Sequence, residues 1–544
     1  MPYPPKPNSG HDIKVSKIKS TNQDEAGDLI EDTGDELAEQ DTQNVKQDAL
    51  ETELIVSVGD QSQLDVYSDG LEAITRILGD FTMILDERDR PHVVLGRKFN
   101  AQAFQIGTRE SNSFIRRMAR KNNIFLKRSD LANINDWLID HAEAEGVRAP
   151  VYLRVAPIQG GVLFDLGGDD FTRVKMTGNG VEILEQGADV PFSRSPTMLP
   201  MTISDQPGDY RLLEKYLPNL RPDYKILLIV WIVFVITHAK IPTTSFPILA
   251  LIAEQGSGKT TLARLVQRLT DDNAVGPQVL LTNAKDMAIA TRNAHVVSFD
   301  NLRGFRDLVS DLLAKVATGA MVTCRQLYTD DEMSFIYLHA AIILNGIYEF
   351  VNQPDLAQRS LFIKLDSLDD SRRMSEADME LQLETDLPII RRGLFDLAAE
   401  ILRHLPDAVV VHSGRMIDYV CYLGAMELVD GMKPGTYQGC YHDSLIEAQR
   451  DALLQHPLPA ALIGFSEELR NRWKGEPTKL LEELSFRVPQ GILRSNDWPN
   501  NAIQLSKRIK IFQSALKAQG VFVEFGRGKS RTITINTAAL AEEF

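Results

Sequence analysis

A short glycine-containing segment has the residue types that bind phosphate. It runs from Ala253 to Thr261 (A-E-Q-G-S-G-K-T-T), after a predicted strand and before an apolar-periodic helix at Leu262–Leu269. Its glycines let backbone N–H groups turn toward phosphate oxygens, and the helix N-terminus adds a partial positive charge. Lys259 can reach the β and γ phosphates, and the Thr260 hydroxyl can ligate Mg²⁺. This Walker A pattern predicts binding of ATP with Mg²⁺, through Gln255, Gly256, Ser257, Gly258, Lys259, Thr260 and Thr261.

An acidic residue follows a second predicted strand. His295–Phe299 is mostly apolar and leads into Asp300, which is placed to hold Mg²⁺ through its bound water. The next residue is Asn301, where many ATPases of this general build have a glutamate that activates the attacking water. Hydrolysis is therefore expected to be slow or to use another base. The alternative is an ordinary buried strand that ends in a turn-forming Asp-Asn pair.

Two more residues could complete this site. Asn345 ends a third predicted strand and is placed to orient water at the γ phosphate, unless it only forms an Asn-Gly turn. Arg359 follows a predicted helix end and can stabilise transition-state charge on the γ phosphate of a neighbouring subunit, unless it is a surface salt-bridge residue. The predicted catalytic residues are Lys259, Asp300, Asn345 and Arg359, and the predicted metal ligands are Thr260 and Asp300.

The order of these motifs carries a family resemblance. Together with Thr318-Gly319 and Thr323–Tyr328, they resemble a superfamily 3 helicase over about 212–365, in particular the helicase half of phage, plasmid and poxvirus primase-helicases. The resemblance implies an AAA+-type ring ATPase, a homo-oligomer expected to be a hexamer, that pulls DNA through a central pore. It also implies a possible primase partner and makes Arg325 a candidate DNA contact near a pore-facing hairpin, with a plain surface arginine as the alternative. Ala253, in place of the usual first glycine, and Asn301 depart from the family pattern.

The elements that must position these residues predict an α/β chain. We expect a P-loop NTPase (AAA+-like) core with a mixed α+β N-terminal domain and a C-terminal winged helix. Strand-like and helical patterns before the core include a sheet at Val151–Val190, where Asp165, Asp169 and Asp170 are predicted turn formers. The expected divisions are a disordered acidic tail at 1–54, an N-terminal and possibly primase-associated domain at 55–201, the ATPase core at 202–405, a helical linker at 406–470 and the winged helix at 471–544.

The C-terminal region has the pattern of a winged helix. The segment Trp473–Thr478 opens a predicted helix at Thr478–Leu484, an amphipathic helix follows at Ala502–Gln519, and two strands form a hairpin with a basic, glycine-rich tip. Seven bases against Glu524 give the segment from Trp498 to Ile535 a charge of +6. The predicted DNA contacts are Lys507, Arg508, Lys510, Arg527, Lys529 and Arg531, in addition to Arg325. A protein–protein module is the alternative.

Charge is distributed unevenly along the 544 residues. The net charge is −16, but Asp24–Glu53 alone holds twelve acidic residues against Lys46, so most of the negative charge lies in the predicted tail. Arg109–Arg128 holds seven bases against Glu110, which is either a solvated helix face or a nucleic-acid contact. Three scattered cysteines and no apolar run of membrane-spanning length favour a reduced, cytoplasmic protein of a bacterial or phage-infected cell.

The sequence favours an ATP-dependent DNA helicase or translocase of phage or mobile-element replication. The alternative is a nucleotide-gated DNA-binding or defence-type ATPase switch, with weak hydrolysis and no unwinding.

The acidic tail should compete with DNA for the basic segments. Deleting Met1–Glu53 is expected to tighten DNA binding at low ionic strength, and the gain should shrink as salt screens the charges. Titration of labelled DNA with the full-length and shortened proteins measures this effect. Unchanged affinity at low salt would contradict it.

Overall fold

The computed structural model describes residues 70–95, 102–185, 190–304, 306–325, 333–346, 353–367, 375–469, 472–527 and 531–537. All of them belong to one compact unit, Asp65–Phe544. The predicted acidic tail at 1–54 lies outside the described residues, as does most of the predicted hairpin tip, including Lys529. The described part is mixed α and β, which confirms the expected class at that level.

The first group of elements forms a small sheet with helices against it. The sheet has the order β3-β2-β1-β4, with β1 antiparallel to β2 and parallel to β4. One helix and two strands lie between Gly70 and Leu95. The elements are α1 (Gly70–Leu78), β1 (Phe81–Leu85), β2 (Pro91–Leu95), β3 (Ala103–Gln105), α2 (Arg109–Lys121), α3 (Arg128–Glu145) and β4 (Val147–Arg148).

The predicted sheet within Val151–Val190 is also confirmed as antiparallel. Its order is β6-β7-β8-β9, and β5 pairs separately with β10. Asp165 is the last residue of β7 and fully buried: its carboxylate accepts the Gly167 N–H at 3.3 Å, as in a turn, and also forms an ion pair with Arg194. The elements are β5 (Tyr152–Leu153), β6 (Val155–Ile158), β7 (Gly161–Asp165), β8 (Arg173–Thr177), β9 (Gly180–Leu184) and β10 (Phe192–Ser193).

A four-stranded parallel sheet lies at the centre of the next group. Its order is β12-β15-β11-β16, so strands distant in sequence are neighbours. Helix α4 begins with a proline at its first turn and is apolar on all sides, which fits its burial between the sheet and the later helices. The elements are α4 (Pro222–Thr237), β11 (Ile248–Ile252), α5 (Lys259–Thr270), α6 (Ala284–Asn293), β12 (Val296–Leu302), α7 (Asp307–Thr318), β13 (Ala320–Arg325), β14 (Met333–Leu338), β15 (Ala341–Gly346), α8 (Pro354–Ala357) and β16 (Ser360–Lys364).

Helices and a small three-stranded sheet complete the described chain. The sheet has the order β17-β19-β18, in which Trp473–Gly475 is a strand antiparallel to β19. The predicted helix at Thr478–Leu484 is confirmed within the helix Pro477–Phe486, and the start of the segment before it, Trp473–Gly475, is a strand. The elements are α9 (Glu376–His404), α10 (Ile417–Val429), α11 (Thr436–Leu454), α12 (Pro457–Glu468), β17 (Trp473–Gly475), α13 (Pro477–Phe486), α14 (Gln490–Leu493), α15 (Ala502–Ala518), β18 (Val521–Arg527) and β19 (Arg531–Thr537).

A buried ion pair joins the antiparallel sheet to the parallel one. The Arg154 guanidinium donates to Asp271 Oδ1 at 2.9 Å, with both side chains almost fully buried. The other carboxylate oxygen, Asp271 Oδ2, accepts the backbone N–H groups of His295 at 2.6 Å and Val296 at 3.1 Å. Asp271 directly follows α5, and Val296 begins β12, so one carboxylate holds three elements together.

Replacing Arg154 with methionine should destabilise this region strongly. The change leaves Asp271 charged and buried with only backbone partners, and breaking a buried pair in this way costs about 3–5 kcal/mol. Urea unfolding followed by the fluorescence of buried Trp231 measures the loss. The matched control is Arg148→Met, because the Arg148–Asp89 pair is about 70% exposed on both sides and its loss should change stability little. Equal stability losses in the two variants would contradict the prediction.

Candidate nucleotide-binding site

The glycine-containing segment forms a tight loop between β11 and α5. Gly256 and Gly258 have φ values of 82° and 80°, in the left-handed region that favours glycine. A Cβ atom at Gly256 would meet nothing within 4 Å, so backbone conformation rather than space requires glycine there. Helix α5 begins directly after Gly258, and the N–H groups of its first turn are free to bind an anion.

Lys259 is folded back onto the loop that precedes it. Its ammonium donates to the carbonyl oxygens of Ala253 at 2.8 Å and Glu254 at 2.5 Å, with Ser257 Oγ at 3.3 Å. The side chain is buried, and this burial lowers its pKa, while the charge of Asp300 opposes the shift. The loop thus encloses a partly desolvated cation. The remaining predicted contacts differ in exposure: Gln255 is exposed and Thr261 is half-buried in the first helical turn.

Three of the predicted polar side chains meet beside this loop. The Thr260 hydroxyl donates to Asp300 Oδ2 at 2.9 Å, and Asn345 Nδ2 donates to Thr260 Oγ1 at 3.5 Å. Parallel strands end at the same edge of a sheet, so β12 and β15 bring Asp300 and Asn345 to the edge where the loop follows β11. The structure therefore places Lys259, Thr260, Asp300 and Asn345 together.

The oxygen atoms at this edge suit a magnesium ion. A hydroxyl, a carboxylate and a side-chain amide oxygen are hard donors, and Mg²⁺ is usually held by one or two carboxylates and phosphate oxygens. Asn345 is buried and its Oδ1 has no hydrogen-bond partner among the described residues, so this oxygen is available to a ligand or to water. Among the described residues, no cluster of three or more histidine, cysteine or acidic side chains offers an all-protein metal site.

Asn301 has a backbone role that the sequence does not reveal. Its φ of 58° lies in the left-handed region, where asparagine is among the most tolerated non-glycine residues. The strand pairing shifts register between Phe299 and Leu302, and the Asn301 N–H donates to Asp300 Oδ1 at 2.6 Å. Asn301 therefore orients the Asp300 carboxylate through its backbone, while its own side chain is exposed.

Arg359 lies away from the other predicted catalytic residues of its own chain. It precedes β16, whose Ser360 is in register with Ile248 at the amino end of β11. The loop follows the opposite end of β11, about 17 Å away at roughly 3.3 Å per residue. Arg359 forms an ion pair with Asp355 at 3.2 Å, and Asp355 also pairs with Arg415. Its predicted action on a neighbouring subunit stays a prediction.

The candidate DNA contacts are only partly described. Arg325 and Arg527 end β13 and β18, where their backbones are paired with Met333 and Arg531. Lys507, Lys510 and Arg531 are exposed, and none has an ion pair within the described part of the chain. Arg508 instead donates to the backbone oxygens of Asn496, at 2.6 Å, and Asp497.

Asn219 is a site residue that the sequence analysis missed. Its amide Nδ2 donates to the carbonyl oxygens of Ser257 at 2.8 Å and Asp366 at 3.0 Å. It thereby ties the loop to the chain that follows β16. Asn219 lies in the short segment before α4, and no motif or spacing marks it in the sequence.

Asn219→Ala should loosen the loop without unfolding the sheet. Loss of a hydrogen bond worth about 1 kcal/mol corresponds to roughly fivefold faster local opening. Hydrogen–deuterium exchange of residues 253–258 measures this rate. The control is Asn293→Ala, because the Asn293 amide donates only within its own helix, to Ile289 O at 2.9 Å. Unchanged exchange in the Asn219 variant would show that the brace is unimportant.

Two regions of the chain match models of known protein families. Residues 218–447 match the family model of the actinomycete integrative conjugative element replication protein, and residues 458–542 match the AICE RepA C-terminal domain. Comparison with curated protein sequences gives no match.

Solved structures similar to this chain include the C-terminal region of NrS-1. The A form apo structure of its residues 305–718 is 10% identical and has a TM-score of 0.36, covering 84% of this chain and 96% of that one. A second A form apo structure of that region is 11% identical, has a TM-score of 0.34, and covers 87% and 99% of the two chains. Scores this low add nothing to the description of the fold. By sequence, over 218–447 and 458–542, the chain is similar to replication proteins of actinomycete integrative conjugative elements.

Proposed function

We propose that this protein is an ATP-dependent DNA translocase or helicase that acts in the replication of a mobile element. The observation that carries the proposal is the meeting of Lys259, Thr260, Asp300 and Asn345 at the carboxyl edge of four parallel strands. These are the residue types that a P-loop NTPase uses for a nucleoside triphosphate. The sequence similarity to replication proteins supports the biological setting.

The phosphate groups of ATP would bind in the loop at Ala253–Gly258. An incoming anion can replace the Ala253 and Glu254 carbonyls as the partner of the Lys259 ammonium, whose distances to them are 2.8 and 2.5 Å. The burial that lowers the Lys259 pKa also removes water that would screen its attraction to phosphate. The N-terminal N–H groups of α5 add further donors.

Thr260 and Asp300 would hold the magnesium ion. When bound, the ion would supply positive charge that stabilises the transferred phosphoryl group. The 2.9 Å hydrogen bond between the Thr260 hydroxyl and Asp300 Oδ2 keeps the two oxygens close before a ligand binds. The Asn301 N–H fixes the other carboxylate oxygen.

Asn345 is suited to orient the attacking water. Its Oδ1 is buried without a partner, so it can accept a hydrogen bond from a water molecule next to the γ phosphate. Arg359, at the amino end of the parallel strands, could act only on the site of another subunit, as in the oligomeric ring, a hexamer, that we propose. DNA would contact Arg325 and the basic residues of the C-terminal region, such as Lys507 and Lys510.

DNA-stimulated ATP hydrolysis tests the proposal. Lys259→Ala should reduce the hydrolysis rate by at least about a hundredfold, because it removes a charge that stabilises the transition state. The matched control is Lys285→Ala, an exposed lysine in the first turn of α6, which should hydrolyse ATP like the wild type. Equal rates in the wild-type and Lys259→Ala proteins would overturn the proposal.

A nucleotide-gated DNA-binding switch is the second candidate. The observation that favours it is Asn301, because the residue after Asp300 carries an amide, which cannot take a proton from water as a carboxylate does, and the left-handed backbone at that position disfavours a glutamate there. Hydrolysis would then be slow, and nucleotide binding would control DNA affinity. Strand separation on a forked duplex with ATP decides between the two functions: separation excludes the switch, whereas nucleotide-dependent DNA binding without separation favours it.

A further inference from the structure

Helix α2 and the loop after it form an exposed basic surface with an aromatic residue. Phe125 is 85% exposed, and its neighbours in sequence include Lys121 and Lys127. We define the α2 surface as Phe125 together with seven exposed bases. These bases are Arg109, Arg116, Arg117, Arg120, Lys121, Lys127 and Arg128.

The bases of α2 lie on one side of the helix. At about 100° per residue, the five bases from Arg109 to Lys121 fall within an arc of roughly 140°. Ile115 and Ala119 lie on the other side and are buried, and buried Phe114 lies at the border of the basic arc, beside Lys121. The basic side extends about 18 Å along the helix axis.

Interactions within the chain account for only part of this charge: Arg117 lies over the Phe114 ring at 5.7 Å, and Arg120 and Lys121 are in the last turn of α2, where the helix dipole favours cations. None of the seven bases forms an ion pair in the described part of the chain. Arg109 lies in the first turn of α2, and Lys127 and Arg128 lie at the N-terminus of α3, where the helix dipole disfavours positive charge. The nearest carboxylate in α3, Asp130, already accepts the Lys127 N–H at 2.8 Å.

The loop that carries Phe125 is held on both sides. Asn122 Nδ2 donates to Ile77 O at 2.9 Å, and the N–H of buried Ile124 donates to Ala119 O at 2.8 Å. Asn123 adopts a left-handed φ of 58° that turns the chain. Helices α2 and α3 are joined by the Asn112–Asn135 side-chain hydrogen bond at 2.8 Å. The aromatic ring is therefore presented to solvent from a fixed backbone.

We propose that the α2 surface binds single-stranded nucleic acid, with an unpaired base stacked on Phe125 and phosphates contacting the arginines of α2. A base has an accessible face only where it is not stacked in a duplex, and aromatic stacking next to bases that bind phosphate is the usual mode of single-strand binding. This site is separate from the ATP site and from the candidate contacts in the C-terminal region. The proposal rests on the proposed function only in the class of its ligand, which is a nucleic acid.

Binding of labelled oligothymidylate to the full chain without nucleotide tests the site. Phe125→Ala should weaken binding about fivefold to a hundredfold and leave binding to blunt duplex DNA unchanged. The matched control is Phe486→Ala. Phe486 is also exposed, to 90%, but it is the last residue of α13, in a helical turn that includes the acidic Glu483. An affinity loss no larger than that of the control would overturn the proposal.

The charges are tested through salt dependence. Arg116→Ala with Arg120→Ala should reduce the slope of log affinity against log salt by about 1.4, at roughly 0.7 per phosphate contact. Lys285→Ala with Lys433→Ala removes the same charge from exposed positions elsewhere and should leave the slope unchanged. Equal slopes in the two double variants would contradict phosphate contact at α2.

A local probe separates this site from the proposed ATPase. Phe125→Trp in a Lys259→Ala background should show fluorescence quenching when oligothymidylate is added, because a base stacks on the indole. This result would stand even if the protein hydrolyses no ATP. Absence of quenching would overturn the proposal. It would also be overturned, in favour of an acidic peptide as the ligand, if polyglutamate bound as tightly as oligothymidylate and Phe125→Ala weakened both equally.

Discussion

The carboxylate of Asp271 connects the elements on which the candidate site depends. Helix α5 has Lys259 and Thr260 in its first turn and Asp271 directly after its last, about 18 Å away. Strand β12 begins at Val296, whose N–H donates to Asp271, and Asp300 lies four residues further on. Helix α5 and strand β12 are therefore joined at both ends: by the 2.9 Å hydrogen bond between Thr260 and Asp300 at one end, and by the Asp271 hydrogen bond with Val296 at the other. A shift of α5 against β12 would have to break both.

The interior around this junction is kept free of uncompensated positive charge. Burial lowers the pKa of His295 to about 4, so its imidazole is neutral near pH 7, and its Nε2 lies 3.0 Å from Val235 O. The guanidinium of Arg154 is surrounded by the Asp271 carboxylate and the carbonyls of Asp165, Leu199 and Asp272. The antiparallel sheet therefore supports the edge that carries the candidate site through buried polar contacts as well as through apolar packing.

Local features of the site could be predicted from the sequence, whereas features that depend on distant contacts could not. The glycines of the loop, Lys259 and Asp300 are recognisable because their chemistry requires particular residue types at fixed spacing. The strand order β12-β15-β11-β16 depends on contacts between segments up to about a hundred residues apart, which no local pattern encodes. For the same reason the sequence does not reveal the contacts of Asn219 with the loop or the ion pair of Asp165 with Arg194. Asn301 is a different case. The sequence shows that an asparagine stands next to Asp300, but its role depends on a left-handed φ angle that only the structure gives.

The position of the Lys259 ammonium on the carbonyls of its own loop has an energetic consequence. Removal of this cation from water accompanies folding of the chain, so its desolvation is not a cost of ligand association. An arriving anion would exchange these carbonyl partners of the ammonium for a more strongly charged set of oxygens. The N–H groups at the start of α5 are fixed by the helix before any ligand is present, so of the two sources of positive potential only the Lys259 ammonium has to change its partners.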